Sequence, residues 1–207
     1  RWCEGSPNFG QTFALAADLI IRSNVDLRSA GEDIDRVIVS AVEIQTRLKE
    51  IAGQIEIDYQ GRDLLVIGIL KGAVMTMADF VRSLNRHVEM DWMAVTSYGS
   101  GTKSSGVVRI LKDLDRDITG REVLIVEDIV DTGLTLAWLK SNLQSRGTKS
   151  VEIFTMLRKP DAAKVDVDVK YVGFDIPNEF VVGYGLDYNE KYRNLDFIGI
   201  LAKGVYS

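Results

Sequence analysis

Two stretches of this chain, Leu64–Ile69 and Val123–Val126, are unbroken apolar runs, and a third, Val151–Leu157, belongs with them. A strand with a layer packed on each face reads as such a run, because neither face alternates with water. The first two runs are each followed by a tight polar turn and a helical pattern, Val74–Leu84 and about Leu134–Ser145. Connections of this kind cross over right-handed and build a parallel sheet. The sequence therefore predicts an α/β fold, a mostly parallel, twisted sheet of about five strands flanked by helices. Ligands in such sheets sit beyond the carboxyl ends of the strands. The turns Lys71–Gly72, Glu127–Thr135 and Arg158–Lys159 are expected to converge there on one crevice.

The other segments fill in around this frame. Val37–Val39 is a short apolar run. Ser40 and Glu43 have capping-box spacing, and Ile44, Leu48, Ile51 and Ile55 follow at helical intervals, which predicts an amphipathic helix ending near Asp58. Val88, Met90, Trp92 and Ala94 alternate as in a strand, and Val107–Leu111 reads as extended. Residues 88–111 are thus expected to form an antiparallel pair around the Ser- and Gly-rich segment Ser97–Gly106. Val169–Gly173 and Phe197–Leu201 read as short strands, and Asp113–Asp117, with its alternating charge, as a solvated turn. At 207 residues the chain has the length of one domain with a small appendage. Residues 1–33 read as a less regular extension of unassigned role, and 34–207 as the domain. Within the extension, Phe13–Ile21 mimics a signal-peptide core. Asp18 interrupts it and it is too short to cross a bilayer, so an accessory amphipathic helix fits better.

Composition narrows the chemistry. A formal charge of −5 with no basic stripe argues against nucleic acid as a partner, and no segment suggests a membrane. Cys3 is the single cysteine and His87 the single histidine, so an intrachain disulfide is impossible and structural zinc is not expected. The setting reads as reducing and cytoplasmic. Cys3 has no histidine base beside it, His87 reads as a surface residue at a strand start, and Trp92 and Trp138 as packing residues. An acidic chain that binds a phosphate is expected to need a cation between the two.

The richest segment is Val123–Thr135, VLIVEDIVDTGLT. Gly133 permits a sharp turn, and Thr132, Gly133, Leu134 and Thr135 stand where backbone amides open a helix and can cradle a phosphate. An acidic cap on a crossover helix would use the same residue types. Glu127 and Asp128 favour the ligand reading, because adjacent carboxylates repel unless a donor or cation receives them. Sugar hydroxyls or a magnesium ion would do so. Lys71–Gly72 offers a second anion site at a strand-to-helix turn. The ring of Phe180, in a glycine-rich loop, could stack a flat base. Lys159 before Pro160 and Arg158 beside it are the cations at the third strand end.

The Val123–Thr135 segment closely resembles the phosphoribosyl-pyrophosphate signature of type I phosphoribosyltransferases, an apolar strand, two acids and an Asp-Thr-Gly turn. Leu70–Lys71–Gly72–Ala73, Ser97–Tyr98–Gly99 and the block Phe174–Arg193 resemble the branch acting on hypoxanthine and guanine. The resemblance spans about residues 36–200. It implies magnesium-dependent purine salvage, joining phosphoribosyl pyrophosphate to an oxopurine, with a small hood of N- and C-terminal segments over the base. By the resemblance, Asp131 is the general base, Glu127 and Asp128 face the ribose diol or metal, and Thr132–Thr135 hold the 5-phosphate. Lys71, Gly72 and Arg193 receive pyrophosphate, with a non-proline cis peptide at Leu70–Lys71. Lys159, Phe180, Val181 and Asp187 form the purine pocket, Asp187 also standing near a second metal. Ser97 and Tyr98 open a lid loop. The resemblance further implies a homodimer or homotetramer. Two other readings stay open: another acceptor base such as xanthine, or an RNA-binding regulator on the same scaffold.

Overall fold

The computed structural model describes residues 31–98 and 107–206. Strand β1 (Ile34–Val39) leads into α1 (Ala41–Asp58), then β2 (Leu64–Leu70), α2 (Val74–Ser83), β3 (Glu89–Tyr98) and β4 (Val107–Lys112). β5 (Glu122–Val130), α3 (Leu134–Ser145), β6 (Ser150–Arg158) and β7 (Tyr171–Asp175) follow, and β8 (Val181–Val182), β9 (Ile198–Leu201) and α4 (Lys203–Tyr206) close the chain. Among the described residues, six strands form the main sheet in the order β4-β3-β2-β5-β6-β7. All its pairs are parallel except β3–β4. The α/β expectation holds, with one strand more than the five anticipated. A separate antiparallel sheet, β1-β9-β8, sets β9 between the first strand and β8.

Local chemistry explains the element ends. The Ser40 amide donates to Glu43 Oε2 at 2.8 Å and the Glu43 amide to Ser40 Oγ at 3.3 Å, so the capping box forms and α1 starts where expected. The continuous apolar runs are buried because helices cover both sheet faces. Ile44, Leu48 and Ile55 of α1 and Met77 and Phe80 of α2 pack on one face, where the Phe80 and Phe154 rings tilt at 5.1 Å. Leu136, Leu139 and Leu143 of α3 pack on the other with Ile125 and Ile153. Each such side chain contributes roughly 1.5–3 kcal/mol by leaving water.

The Asp113–Asp117 turn is more tied down than its charge pattern suggested. Asp113 pairs with Arg146 at 2.7 Å, and the Asp115 amide donates to the buried Asp91 at 2.9 Å. Asp33, placed by sequence in the extension, accepts from the Ala202 amide and the Tyr192 hydroxyl, both at 2.8 Å. β8 went unread because two residues carry no periodicity.

Glu122 sits buried at the opposite end of β5 from the crevice. Lys149 at 2.8 Å, Ser150 at 2.6 Å and Arg62 at 3.2 Å surround its carboxylate. These partners, Lys149 first, lower its pKa from 4.5 to about 2. The folded value lies below the unfolded one, so this stabilisation is complete above pH 4.5 and is lost as pH falls towards 2. It amounts to roughly 3 kcal/mol. Glu122→Gln is expected to be less stable at neutral pH and to lose less stability across that acid window, as read by urea unfolding at successive pH values.

Candidate active site

The three strand ends converge as the sequence predicted. β2 delivers Lys71 and Gly72, β5 delivers Glu127 to Asp131, and β6 delivers Lys159. Lys71, Gly72, Asp128, Asp131, Lys159, Phe180, Val181, Asp187 and Arg193 all border one cavity of about 360 Å³. A smaller hollow of about 120 Å³ adjoins it, bordered by Glu127, Asp131, Thr132, Gly133 and Thr135. Asp131 is common to both.

The apolar run of β5 was expected to end at Val126, with the carboxylates in the turn. Instead β5 continues to Val130, because pairing to β6 persists through Val130 and Arg158. Glu127 and Asp128 are therefore strand residues, and they border different hollows. Burial, reinforced by the neighbouring Asp128 carboxylate, pushes Glu127 well above its ordinary pKa. Burial likewise raises Asp128, although its carboxylate accepts from the Ile129 amide at 2.7 Å. A buried and a half-buried acid side by side favour a ligand that brings hydroxyl donors or a cation.

Beyond β5 the backbone turns at Gly133, whose φ of +78° is a left-handed conformation that glycine adopts at little cost. The Thr132 carbonyl is held from behind by the Lys164 and Val165 amides at 3.0 and 3.3 Å. α3 begins at Leu134 with no side chain among the described residues capping it. Amides in the first turn of a helix have no acceptor within the helix, so the opening Thr132–Thr135 can receive an anion.

The cations lie opposite. The Leu70–Lys71 peptide is cis, in keeping with the resemblance. Lys71 Nζ donates to both Glu190 oxygens at 3.1 and 3.2 Å. Arg193 pairs with Asp187 at 2.8 Å and Glu190 at 3.3 Å, and its Nε is buried without a hydrogen-bond partner among the described residues. Lys71 first, then Arg193, holds the Glu190 carboxyl below its usual range. Asn189, Glu190 and Tyr192 all have positive φ, so this loop holds backbone strain beside the cavity. Gly72 packs so closely on Asp128 that a Cβ there would lie 1.6 Å from Oδ2.

The structure separates Lys159 from Arg158. Arg158 donates to Asp175, its register partner on β7, at 2.7 and 3.0 Å and does not border the cavity of about 360 Å³. Lys159 is buried, with Nζ 3.9 Å from Asp131 Oδ2, and borders the cavity. Phe180 is 39% exposed and Val181 is buried. The lid reading of Ser97 and Tyr98 depends on 99–106, which lie outside the described residues; β3 ends at Tyr98. Glu127, Asp128 and Asp187 do not form one metal-binding cluster, and among the described residues no group of three or more His, Cys, Asp or Glu could hold a metal by itself. Glu190 was missed from sequence. It lies in an irregular loop with positive φ, where three-residue spacing from Arg193 carries no signal.

Comparison with known proteins agrees with this geometry. The phosphoribosyl transferase domain model matches residues 39–189. The chain is 57% identical over 180 residues to the hypoxanthine-guanine phosphoribosyltransferase of Mycobacterium bovis, covering 84% of this chain and 89% of the relative. The protein of that name from Streptococcus thermophilus is 47% identical over 176 residues, covering 85% and 98%. The solved hypoxanthine phosphoribosyltransferase of Staphylococcus aureus aligns with a TM-score of 0.82 at 49% identity, covering 84% of this chain and 95% of that one. On the family match, these identities and the shared fold, the chain belongs to the phosphoribosyltransferase family, among the hypoxanthine-guanine phosphoribosyltransferases.

Proposed function

We propose that this protein transfers the 5-phosphoribosyl group from phosphoribosyl pyrophosphate to hypoxanthine or guanine, giving the nucleoside monophosphate and pyrophosphate. The observation that carries the reading is the single cavity uniting Lys71, Asp128, Asp131, Lys159, Phe180 and Arg193, with the opening of α3 at its edge. A molecule with a phosphate at one end, a vicinal diol in the middle and a diphosphate at the other fits that order of groups.

In this reading Thr132–Thr135 bind the 5-phosphate, and Glu127 and Asp128 accept from the ribose hydroxyls. Phe180 and Val181 hold the purine ring, and the buried Lys159 donates to its oxo group, which favours oxopurines over aminopurines. A bond forms between the purine nitrogen and the anomeric carbon while the bond from that carbon to pyrophosphate breaks. Asp131 takes the proton that the purine nitrogen loses. Lys71 and Arg193 receive the charge building on the departing pyrophosphate. The adjacent carboxylates of Glu127, which is buried, and Asp128, which is half-buried, suit a magnesium ion held jointly with substrate oxygens, since magnesium usually takes one or two carboxylates plus phosphates. When bound, it would neutralise diphosphate charge. Asp187, engaged by Arg193, would approach a second ion only if that pairing opened.

The test is an assay with phosphoribosyl pyrophosphate and magnesium, offering hypoxanthine, guanine, xanthine, adenine and uracil separately. Turnover of the first two, lost on chelation, is the expected result. A preference for xanthine would reassign the acceptor. Salt-sensitive RNA binding with no turnover would move the reading to a regulator. No helix among the described residues is long and apolar enough to cross a membrane. A cytoplasmic homodimer or homotetramer completes the proposal, and light scattering of the purified protein tests its assembly.

Glu190 occupies the two cations that pyrophosphate would need. Glu190→Gln is therefore expected to tighten product inhibition by pyrophosphate, about two- to fivefold given the weakness of exposed ion pairs. Steady-state inhibition by added pyrophosphate reads this directly.

A further inference from the structure

Phe180 is a wall shared by two cavities. On one side it borders the substrate cavity with Asp131 and Lys159. On the other it borders a hollow of about 490 Å³ with Asp35, Asn178, Lys203 and Tyr206. Three rings meet at this wall. Tyr206 stacks on Phe180 with centroids 5.2 Å apart and planes 30° apart. Tyr188 meets Phe180 edge-on at 5.8 Å and 88°, and Tyr206 at 6.3 Å and 64°. Both arrangements are ones that aromatic pairs prefer.

Tyr206 reaches this position through backbone bonds to the same wall. The Leu201 amide donates to the Phe180 carbonyl at 3.0 Å, and the Ala202 amide to Asp33 at 2.8 Å. The Val205 amide then donates to Ala202 at 2.9 Å, closing the α4 turn that carries Tyr206. The last turn of the described chain thus hangs on the backbone of Phe180 itself.

We infer that Tyr206 is a positioning residue for the base: stacked on the outer face of Phe180, it holds that ring so that the inner face is offered to the purine. The inference rests on the proposed role of Phe180 as the base platform. A phenylalanine 39% exposed needs neighbours to fix its side-chain angles, since ordering it on binding would subtract from affinity. Tyr206 and Tyr188 remove that cost before the base arrives. The aromatic ring of Tyr206 carries the effect, and its hydroxyl is not needed for it.

Steady-state kinetics of the full chain and its Tyr206→Ala, Tyr206→Phe, Phe180→Ala and Phe180→Ala/Tyr206→Ala variants test this. Tyr206→Ala is expected to raise KM for hypoxanthine and guanine about three- to tenfold, the range for a stacked aromatic pair. Its kcat and its KM for phosphoribosyl pyrophosphate should stay near wild type, and Tyr206→Phe should restore the base KM. In the Phe180→Ala background, loss of Tyr206 should add nothing. An unchanged base KM in Tyr206→Ala, with a raised one in Phe180→Ala, overturns the inference alone. A lowered base KM would mean that Tyr206 competes for the base site, and equal rises for both substrates would mean general loosening; either result overturns it. A Phe180→Ala variant with unaltered base KM removes the platform reading and the inference together.

Discussion

Gly72→Ala is expected to lower kcat/KM by at least about a hundredfold, the scale of loss when reacting groups are displaced by an ångström. A Cβ at residue 72 would stand 1.6 Å from Asp128 Oδ2 and 2.6 Å from its Cγ. The carboxylate cannot simply swing aside, because Oδ1 is held by the Ile129 amide at 2.7 Å. Nor can the turn retreat, since Gly185 packs against the Gly72 carbonyl so closely that a Cβ on Gly185 would lie 2.0 Å from that oxygen. The added methyl must therefore move Asp128, Lys71 or both, and these are the groups assigned to the ribose and to pyrophosphate. Kinetics with phosphoribosyl pyrophosphate varied at saturating base would show the loss. A circular dichroism melt alongside would show whether the fold survived. Activity within about threefold of wild type would mean that the close Gly72–Asp128 contact is dispensable.

Asp131→Asn should cut kcat by about a hundred- to ten-thousandfold while changing KM for phosphoribosyl pyrophosphate little, the range expected for losing a general base. The substitution preserves size and keeps an oxygen towards Lys159 Nζ, 3.9 Å away in the parent. It removes the capacity to accept the purine proton. Asp131 is placed for that task, because among the described residues it alone of the carboxylates borders both the phosphate hollow and the base cavity. Its side chain is open while that of Lys159 is buried, so the proton acceptor is free to meet the ligand and Lys159 reaches the same cavity from a fixed position. Unchanged kcat would remove Asp131 as the base. A loss confined to KM would make it a binding group.

Much of this site was legible because its signals are local. An unbroken apolar run announces a strand covered on both faces whatever its partners are, and a glycine followed by a helical pattern announces a turn with free amides. The capping box at Ser40 and Glu43 needed only three residues of spacing. The rule that ligands gather beyond parallel strand ends then places Lys71, Asp131 and Lys159 together from sequence alone. One local reading stopped short. The apolar run ends at Val126, yet β5 continues to Val130, because pairing with β6 outweighs the polarity of two side chains.

Sequence alone therefore determined the α/β frame, the turn at Gly133 and the residue types lining the crevice. Tertiary structure decided what depends on register and on distant pairing. Strand chemistry does not say which of Arg158 and Lys159 turns inward; the Arg158–Asp175 pairing in register between β6 and β7 settles it. The union of β1 with β9, more than 150 residues apart in the chain, is likewise absent from any local pattern. The engagement of Lys71 by Glu190 and the seating of Tyr206 on Phe180 follow from such pairings. These contacts form only after long loops have closed, and their entropy and geometry are properties of the whole fold rather than of any short segment.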